Sequence, residues 1–249
     1  MVDTITNMQK KIVKLLISAV ILFVTGCATT TPPSDPKDPF ENFNRHVFTF
    51  NMTFDKVILC PAAKAYNFIL PKIVRKGISN FFFNFAETST IINDLLQFSF
   101  KQAGQDTARL AINSTIGLLG LIDIASQAGI KRHYNDLGLT FAKWGSKDSP
   151  YIMIPILGPT TIANGVGLIV DYYYFTPFTY LKPDVRIPLL ALLFVDIRDK
   201  LLPADKLMAQ AFDQYVFVRD AYFQRRARLQ QENMPGAADK DTYVEEDIR

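Results

Sequence analysis

Apolar residues recur at alternating spacings of three and four from Phe40 through Phe43, Val47, Phe50 and Phe54 to Val57. Only an α-helix brings such positions to one side, so the stretch reads as an amphipathic helix with an aromatic stripe. Asp38-Pro39 supplies an N-cap and a first-turn proline, and Glu41, Asn42, Asn44, Arg45, Asn51 and Asp55 fall on the other side. Pro61 and Pro71 bracket a short helix. Further helical stretches are expected over 72–84, 86–98, 101–119, 160–174, 186–201 and 204–231. Residues 130–160, rich in Gly and Pro, read as irregular or briefly extended. The fold class that follows is mainly α, with irregular Gly/Pro-rich connections and no internal repeat.

The longest uncharged run after residue 26, Ser149 to Val170, contains Pro150, Pro155, Pro159, Gly158, Gly165 and Gly167. So many interruptions would leave backbone groups unpaired in hydrocarbon, so the run is not a simple transmembrane span. Aromatic amphipathic helices suit either a globular core or the plane of a membrane interface. A hydrophobic share of 49%, with 20 Phe and 10 Tyr, excludes a disordered chain. The net charge of +3 falls to about +1 once a leader holding Asp3, Lys10, Lys11 and Lys14 is removed. That leaves no broad basic field, so nucleic acid is not an expected partner.

Such a leader is legible. Lys10, Lys11 and Lys14 precede the apolar run Leu15 to Val24, too short to span a bilayer but suited to a signal peptide. Val24-Thr25-Gly26-Cys27 then resembles a lipobox, which makes 1–26 a lipoprotein signal and Cys27 the acylated first residue. The alternative is an ordinary secretory signal with an incidental cysteine. Residues 27–38, Thr/Pro-rich, read as an extended tether. Ala28 follows the acylated position where an Asp would retain an enteric-type lipoprotein at the inner membrane. Cys60 is left as a free thiol and reads as a small buried hydrophobe.

Catalytic chemistry is sparse. His46 and His133 are the two histidines, no G-x-S-x-G elbow is present, and no closely spaced His/Cys/Glu set suggests a metal. Gly165-Val166-Gly167 lacks the third glycine and the flanks of a dinucleotide fingerprint. Asp94, Asp123, Asp136 and Asp171 read as caps or surface groups. Arg225-Arg226-x-Arg228 is either a solvated helix end or a contact for anionic headgroups or an acidic partner. No enzyme, cofactor or metal is expected. Gly117 and Gly120, in the apolar run between Asn113 and Asp123, permit either bending or close packing. Residues 232–249 read as a disordered charged tail.

An ordered series of motifs spans Asp38 to Gln224. It begins with Asp38-Pro39-Phe40-Glu41-Asn42-Phe43-Asn44-Arg45 and continues with Ile78-Ser79-Asn80-Phe81, Asn93-Asp94-Leu95-Leu96-Gln97 and Ile112-Asn113-Ser114-Thr115-Ile116-Gly117. Gly120-Leu121-Ile122-Asp123, Asp136-Leu137-Gly138-Leu139-Thr140, Trp144-Gly145, Pro150-Tyr151, Gly158-Pro159 and Arg219-Asp220-Ala221-Tyr222-Phe223-Gln224 follow. After a lipobox, this series resembles the VacJ/MlaA lipoproteins, over a helical domain of residues 39–231. The resemblance implies a ring of amphipathic helices embedded in the inner leaflet of the outer membrane around a polar channel. It implies removal of mislocalised phospholipids from the outer leaflet, transfer to a periplasmic lipid-carrier protein, and trimeric porins as scaffold. By the same resemblance Asn113, Gly117, Gly120 and Asp123 belong to a hinged gate lining the channel, while Phe40, Phe43, Phe50 and Phe54 face the membrane. Anchoring is through acylated Cys27 on the periplasmic side. Departures are Asp136-Leu137-Gly138 for Asp-Phe-Gly, Ser149-Pro150-Tyr151 for Gly-Pro-Tyr, and Ala163-Asn164 for an Arg-Asp pair. Two other functions compete, an envelope enzyme such as a lipase and a structural lipoprotein that braces porins.

Overall fold

In the computed structural model, residues 35–146 and 149–234 are described. The leader, Cys27, the first part of the tether and residues 235–249 of the tail lie outside the described residues. Helix α1 (Glu41–Phe54) runs through a π-helical turn (Asp55–Leu59) into α2 (Cys60–Ile69), which stops before Pro71. Helix α3 (Lys72–Leu96) is continuous for 25 residues, where two stretches divided near residue 85 were expected. Helix α4 (Phe100–Thr115) ends four residues earlier than its periodicity suggests. Short helices α5 (Ile124–Gln127) and α6 (Leu137–Lys143) precede a hairpin of β1 (Tyr151–Ile154) and β2 (Gly158–Thr161). Its strands are antiparallel, with Tyr151 opposite Thr161 and Ile154 opposite Gly158.

Helix α7 (Ile162–Val170) passes through a second π turn (Asp171–Phe175) and a 3-10 turn (Pro177–Tyr180) to α8 (Pro183–Leu201). The last stretch is broken, not continuous: α9 (Asp205–Gln210) and α10 (Gln214–Glu232) are separate, with the Asp213 carboxylate capping the backbone N–H groups of Tyr215 and Val216. Packing links α1 through the first π turn to α2, then α8, α3, α6, α7, β2 and β1, and β1 returns to α1. The elements therefore close a circuit. Helix α4 packs along α3, and α10 lies against α6 and the hairpin.

The opening motif works differently from the expected cap. Phe40, not Asp38, precedes the first helical residue, and no side chain caps that end. Asp38 is wholly buried and accepts hydrogen bonds from Asn44 Nδ2 (2.8 Å) and the Tyr215 hydroxyl. Asn44 in turn accepts from the Met153 N–H at 2.8 Å, and Asn51 clamps the hairpin loop by donating to the Ile154 carbonyl and accepting from the Ile156 N–H. Asn44 and Asn51 thus face inward, contrary to their expected place on the polar outer side. Tyr151, Tyr215 and Phe223 complete this corner with rings 5.6 to 6.3 Å apart. The corner also draws in the end of the tether, since Asp35 pairs with Arg219 at 3.3 Å and the Lys37 carbonyl accepts from the Tyr151 N–H. At the other end Asn233 is held by Tyr134 and Leu229, so the order of α10 reaches past residue 232.

Candidate functional site

The distribution of polarity is inverted. Among the described residues 22 polar or charged side chains are buried against 13 hydrophobic ones, while 35 large hydrophobics are exposed. A water-soluble domain of this size reverses those proportions, so the outer surface is built for an apolar surround. Phe68, Ile73, Tyr180 and Phe98 are each more than three-quarters exposed, and Trp144, Tyr173 and Tyr174 add amphipathic rings of the kind found at membrane interfaces. No helix among the described residues is long and apolar enough to cross a membrane.

The stripe of α1 is divided between the two surroundings. Phe40 and Phe50 are exposed, Phe54 is half-buried, and Phe43 packs with Phe48 and Val47 against Tyr151 and Tyr215. Exposed apolar residues also occupy loop tips with left-handed backbone: Phe98 (φ 58°), Leu118 (φ 53°), Leu119 (φ 58°) and Ile156 (φ 67°). Such φ values cost a side-chain-bearing residue roughly 1–2 kcal/mol, so the segments are strained where they project leucine and aromatic groups.

Inside, the polar groups come from stripes of helices. On α4 the buried positions are Ala103, Asp106, Arg109 and Asn113, and on α3 they include Asn84, Glu87, Ser89, Thr90, Asn93 and Asp94. Arg109, 1% exposed, donates to Glu87 at 3.1 Å, to Asp123 at 3.1 and 3.2 Å, to Ser126 at 3.1 Å and to the Ile130 carbonyl. Burial and the charge of Asp106 push the Glu87 carboxyl up to about 7, against the pull of Arg109. Burial acts in the same direction on Asp123, but hydrogen bonds from Ser126 and Asn113 and the charge of Arg109 prevail and hold it down at about 2. A second network runs from Asp171 through Asn93 (2.9 Å) to Thr140 (2.8 Å), Gln97 (2.9 Å), Asn135 (2.8 Å) and Asp94 (2.8 Å).

Asp123 and Asp136 are caps, as their type and context suggested, of α5 and α6. Asp94 and Asp171 are not; both are buried and engaged by side chains of other elements. The three groups Asp94, Asp106 and His133, whose sequence spacing hid any relation, lie with their ligand atoms within 4.8 Å of one another. The expectation of no metal-ligand set rested on sequence spacing, and packing is what brings these three groups together. Arg226 is likewise not a solvated terminus: it is paired with Asp136 at 2.6 Å and bonded to Asn164, which also donates to the Tyr222 hydroxyl. The Ala163-Asn164 departure thus keeps a polar contact at this position.

The segment expected as a gate is a strapped turn. Asn113 donates to Asp123 at 3.0 Å and accepts from the Ala125 N–H, and the Gly120 and Ile122 N–H groups bond to the carbonyls of Asn113 and Gly117. A Cβ at Gly117 would lie 2.3 Å from the Ile122 carbonyl oxygen and 2.6 Å from that of Asn113. Gly120 has φ +90°, and a Cβ there would lie 2.4 Å from Asn84 Cβ. Close packing therefore demands both glycines. Gly117→Ala is expected to destabilise the protein by ~1–3 kcal/mol, because the opposing atoms are backbone. Gly104→Ala, in open space on α4, should stabilise by ~0.5–1 kcal/mol. Thermal unfolding of the two variants in detergent checks both, and equal melting temperatures would refute the packing account.

The MlaA lipoprotein family model matches residues 36–229. The chain is 33% identical over 220 residues, 85% of its length and 87% of the relative, to the intermembrane phospholipid transport system lipoprotein MlaA of Escherichia coli strain K12. The protein of that description from Haemophilus influenzae is 35% identical over 222 residues, 86% of this chain and 88% of its own. A structure solved as the basis for maintenance of bacterial outer membrane lipid asymmetry superposes with a TM-score of 0.70 at 32% identity, covering 78% of this chain and 98% of that one.

Proposed function

Because this chain belongs to the MlaA lipoprotein family, we propose that it removes mislocalised phospholipids from the outer leaflet of the outer membrane and passes them to a periplasmic carrier. The observation that carries this reading is the inversion of polarity: apolar side chains outside, charged and amide side chains inside, and no crossing helix among the described residues. Such a body is stable when sunk into one leaflet, where its rim meets acyl chains and its interior offers groups to a headgroup. In this reading the body is residues 39–231, preceded by a signal over 1–26 and a tether over 27–38, and followed by a tail over 232–249. Cys27 carries the acyl anchor, which holds the protein on the periplasmic side of the outer membrane, and trimeric porins serve as scaffold. Energy comes from partner machinery; the chain's own residues bind and guide lipid without covalent chemistry.

The turn from Asn113 to Asp123 is proposed as the gate. Its left-handed leucines store strain, and the Asn113–Asp123–Arg109 bonds hold it shut, which are the parts of a two-state latch. A strain lacking the gene is expected to accumulate phospholipid in the outer leaflet of its outer membrane, and the restored gene to clear it. Restoration with Asn113→Ala, which weakens the latch, should clear lipid at an altered rate with unchanged protein abundance. Normal outer-leaflet composition in the deletion strain would overturn transport in favour of a lipoprotein that only braces porins.

A further inference from the structure

Asp94 near the end of α3, Asp106 in the middle of α4 and His133 in the segment before α6 converge beneath the surface. Both aspartates are fully buried and His133 is 9% exposed. His133 Nδ1 lies 3.1 Å from Asp106 Oδ2 and 3.6 Å from Asp94 Oδ2. Asp94 Oδ1 accepts from Asn135 Nδ2, but Asp94 Oδ2, aimed at the imidazole, has no hydrogen-bond donor. The protonated His133 ring is the cation that this buried oxygen faces, and a metal ion bound by the same three groups would take over that role.

The other ring nitrogen fixes the orientation. Asn233 Nδ2 donates to the carbonyls of Tyr134 and Leu229, so its Oδ1 is the acceptor for His133 Nε2–H at 2.7 Å. Nδ1–H in turn donates to Asp106 Oδ2, so a metal would replace that proton and take the Nδ1 lone pair while Asn233, as outer partner, keeps holding the ring. Ligand atoms bound at about 2.0–2.1 Å in a tetrahedral zinc site stand roughly 3.3 Å apart, a value bracketed by the two distances from Nδ1.

We propose that Asp94, Asp106 and His133 form a binding site for one divalent transition-metal ion of the zinc class, which pins α3 and α4 to the segment before α6. One imidazole with two carboxylates suits zinc. Calcium would need six to eight oxygens and magnesium an octahedron, whereas zinc needs one ligand, such as a water, beyond the three this buried site supplies. Asn233, as the outer partner, ties the end of α10 to the same point.

The test uses the full-length protein in detergent, purified without a polyhistidine tag, stripped with chelator and dialysed against zinc, cobalt or magnesium chloride. One equivalent of zinc is expected to remain. Its absorption edge should show one imidazole among oxygen ligands without sulfur, and zinc at a hundredfold excess over Kd should raise the melting temperature by about 5–10 °C, with no rise for magnesium. The exposed His46 and the thiol of Cys60 are alternatives on the same chain, so His46→Ala/Cys60→Ser should keep the full equivalent. Asp106→Asn and His133→Gln should each lose it. Less than a tenth of an equivalent in the wild type, sulfur in its first shell, loss of zinc with His46→Ala/Cys60→Ser, or full retention in folded His133→Gln would each overturn the proposal. If the ligand variants do not fold, the edge spectrum of the wild type and of His46→Ala decides alone.

Discussion

Arg109→Met is expected to cost about 3–5 kcal/mol of folding stability, the range for removing one member of a buried ion pair. Methionine matches much of the volume, so the loss is electrostatic and not a matter of cavity. Without the guanidinium, buried Glu87 loses its ion-pair partner, Asp123 keeps Arg132 as its ion-pair partner, and the Ser126 hydroxyl and Ile130 carbonyl lose their donor. Glu87 already holds its proton up to about pH 7 because burial and Asp106 oppose its charge. Its folded value is raised above the unfolded 4.5, so the associated stability is full below about pH 4.5 and is lost as pH rises toward 7. Deleting Arg109 raises the Glu87 value further. The deficit of Arg109→Met against wild type should therefore shrink as the pH falls from 8 to 5.

Denaturant unfolding in detergent at the two pH values measures this. Glu87→Gln combined with Arg109→Met should recover part of the loss, since a neutral amide replaces the stranded carboxyl. A deficit below about 1 kcal/mol at pH 8, or one that grows as the pH falls, would mean that water reaches the site and that Arg109 is not the centre of a dry network.

Helical periodicity made most of the α elements legible, because apolar spacing depends on neighbours three and four residues away. The same logic misassigned the inside of several helices. Asn44, Asn51, Asp94 and Asp106 lie where a water-soluble domain would put leucine, and the rule that polar residues face out assumes a polar solvent. In an apolar surround, as proposed for this protein, polar stripes turn inward. The Asp94–Asp106–His133 cluster was invisible for a different reason: its members are separated by twelve and 27 positions and meet only through the packing of α4 on α3. Closely spaced ligands are the ones a sequence search recognises. Asp38 shows a third limit, for Asp before Pro has the composition of a helix cap, yet its carboxylate is captured by Tyr215, 177 residues away. The hairpin at 151–161 was readable as briefly extended, whereas its register was not, since it is set by Asn44 and Asn51 on a distant helix.

The same inversion predicts the second large effect. Phe68→Asp combined with Ile73→Asp should release the non-acylated Cys27→Ser protein from phospholipid vesicles while leaving its fold intact. Phe68 is 91% exposed and Ile73 81%, at the junction of α2 and α3, so neither contributes much to the core and the folding cost of surface substitutions applies, about 0.5 kcal/mol or less. In lipid the balance differs. Each substitution withdraws up to ~1.5–3 kcal/mol of apolar burial and adds the cost of desolvating a carboxylate. Two of them together amount to about 5 kcal/mol, a loss of roughly a thousandfold or more in vesicle partitioning. Phe50→Asp, at a position 52% exposed and partly covered by its own protein, should have a smaller effect on partitioning and a larger one on stability. Vesicle flotation and thermal unfolding of the three proteins separate the two quantities. Unchanged flotation of folded Phe68→Asp/Ile73→Asp would mean that this face is covered by another protein, and the exposed aromatic residues would then mark a protein interface in place of the bilayer.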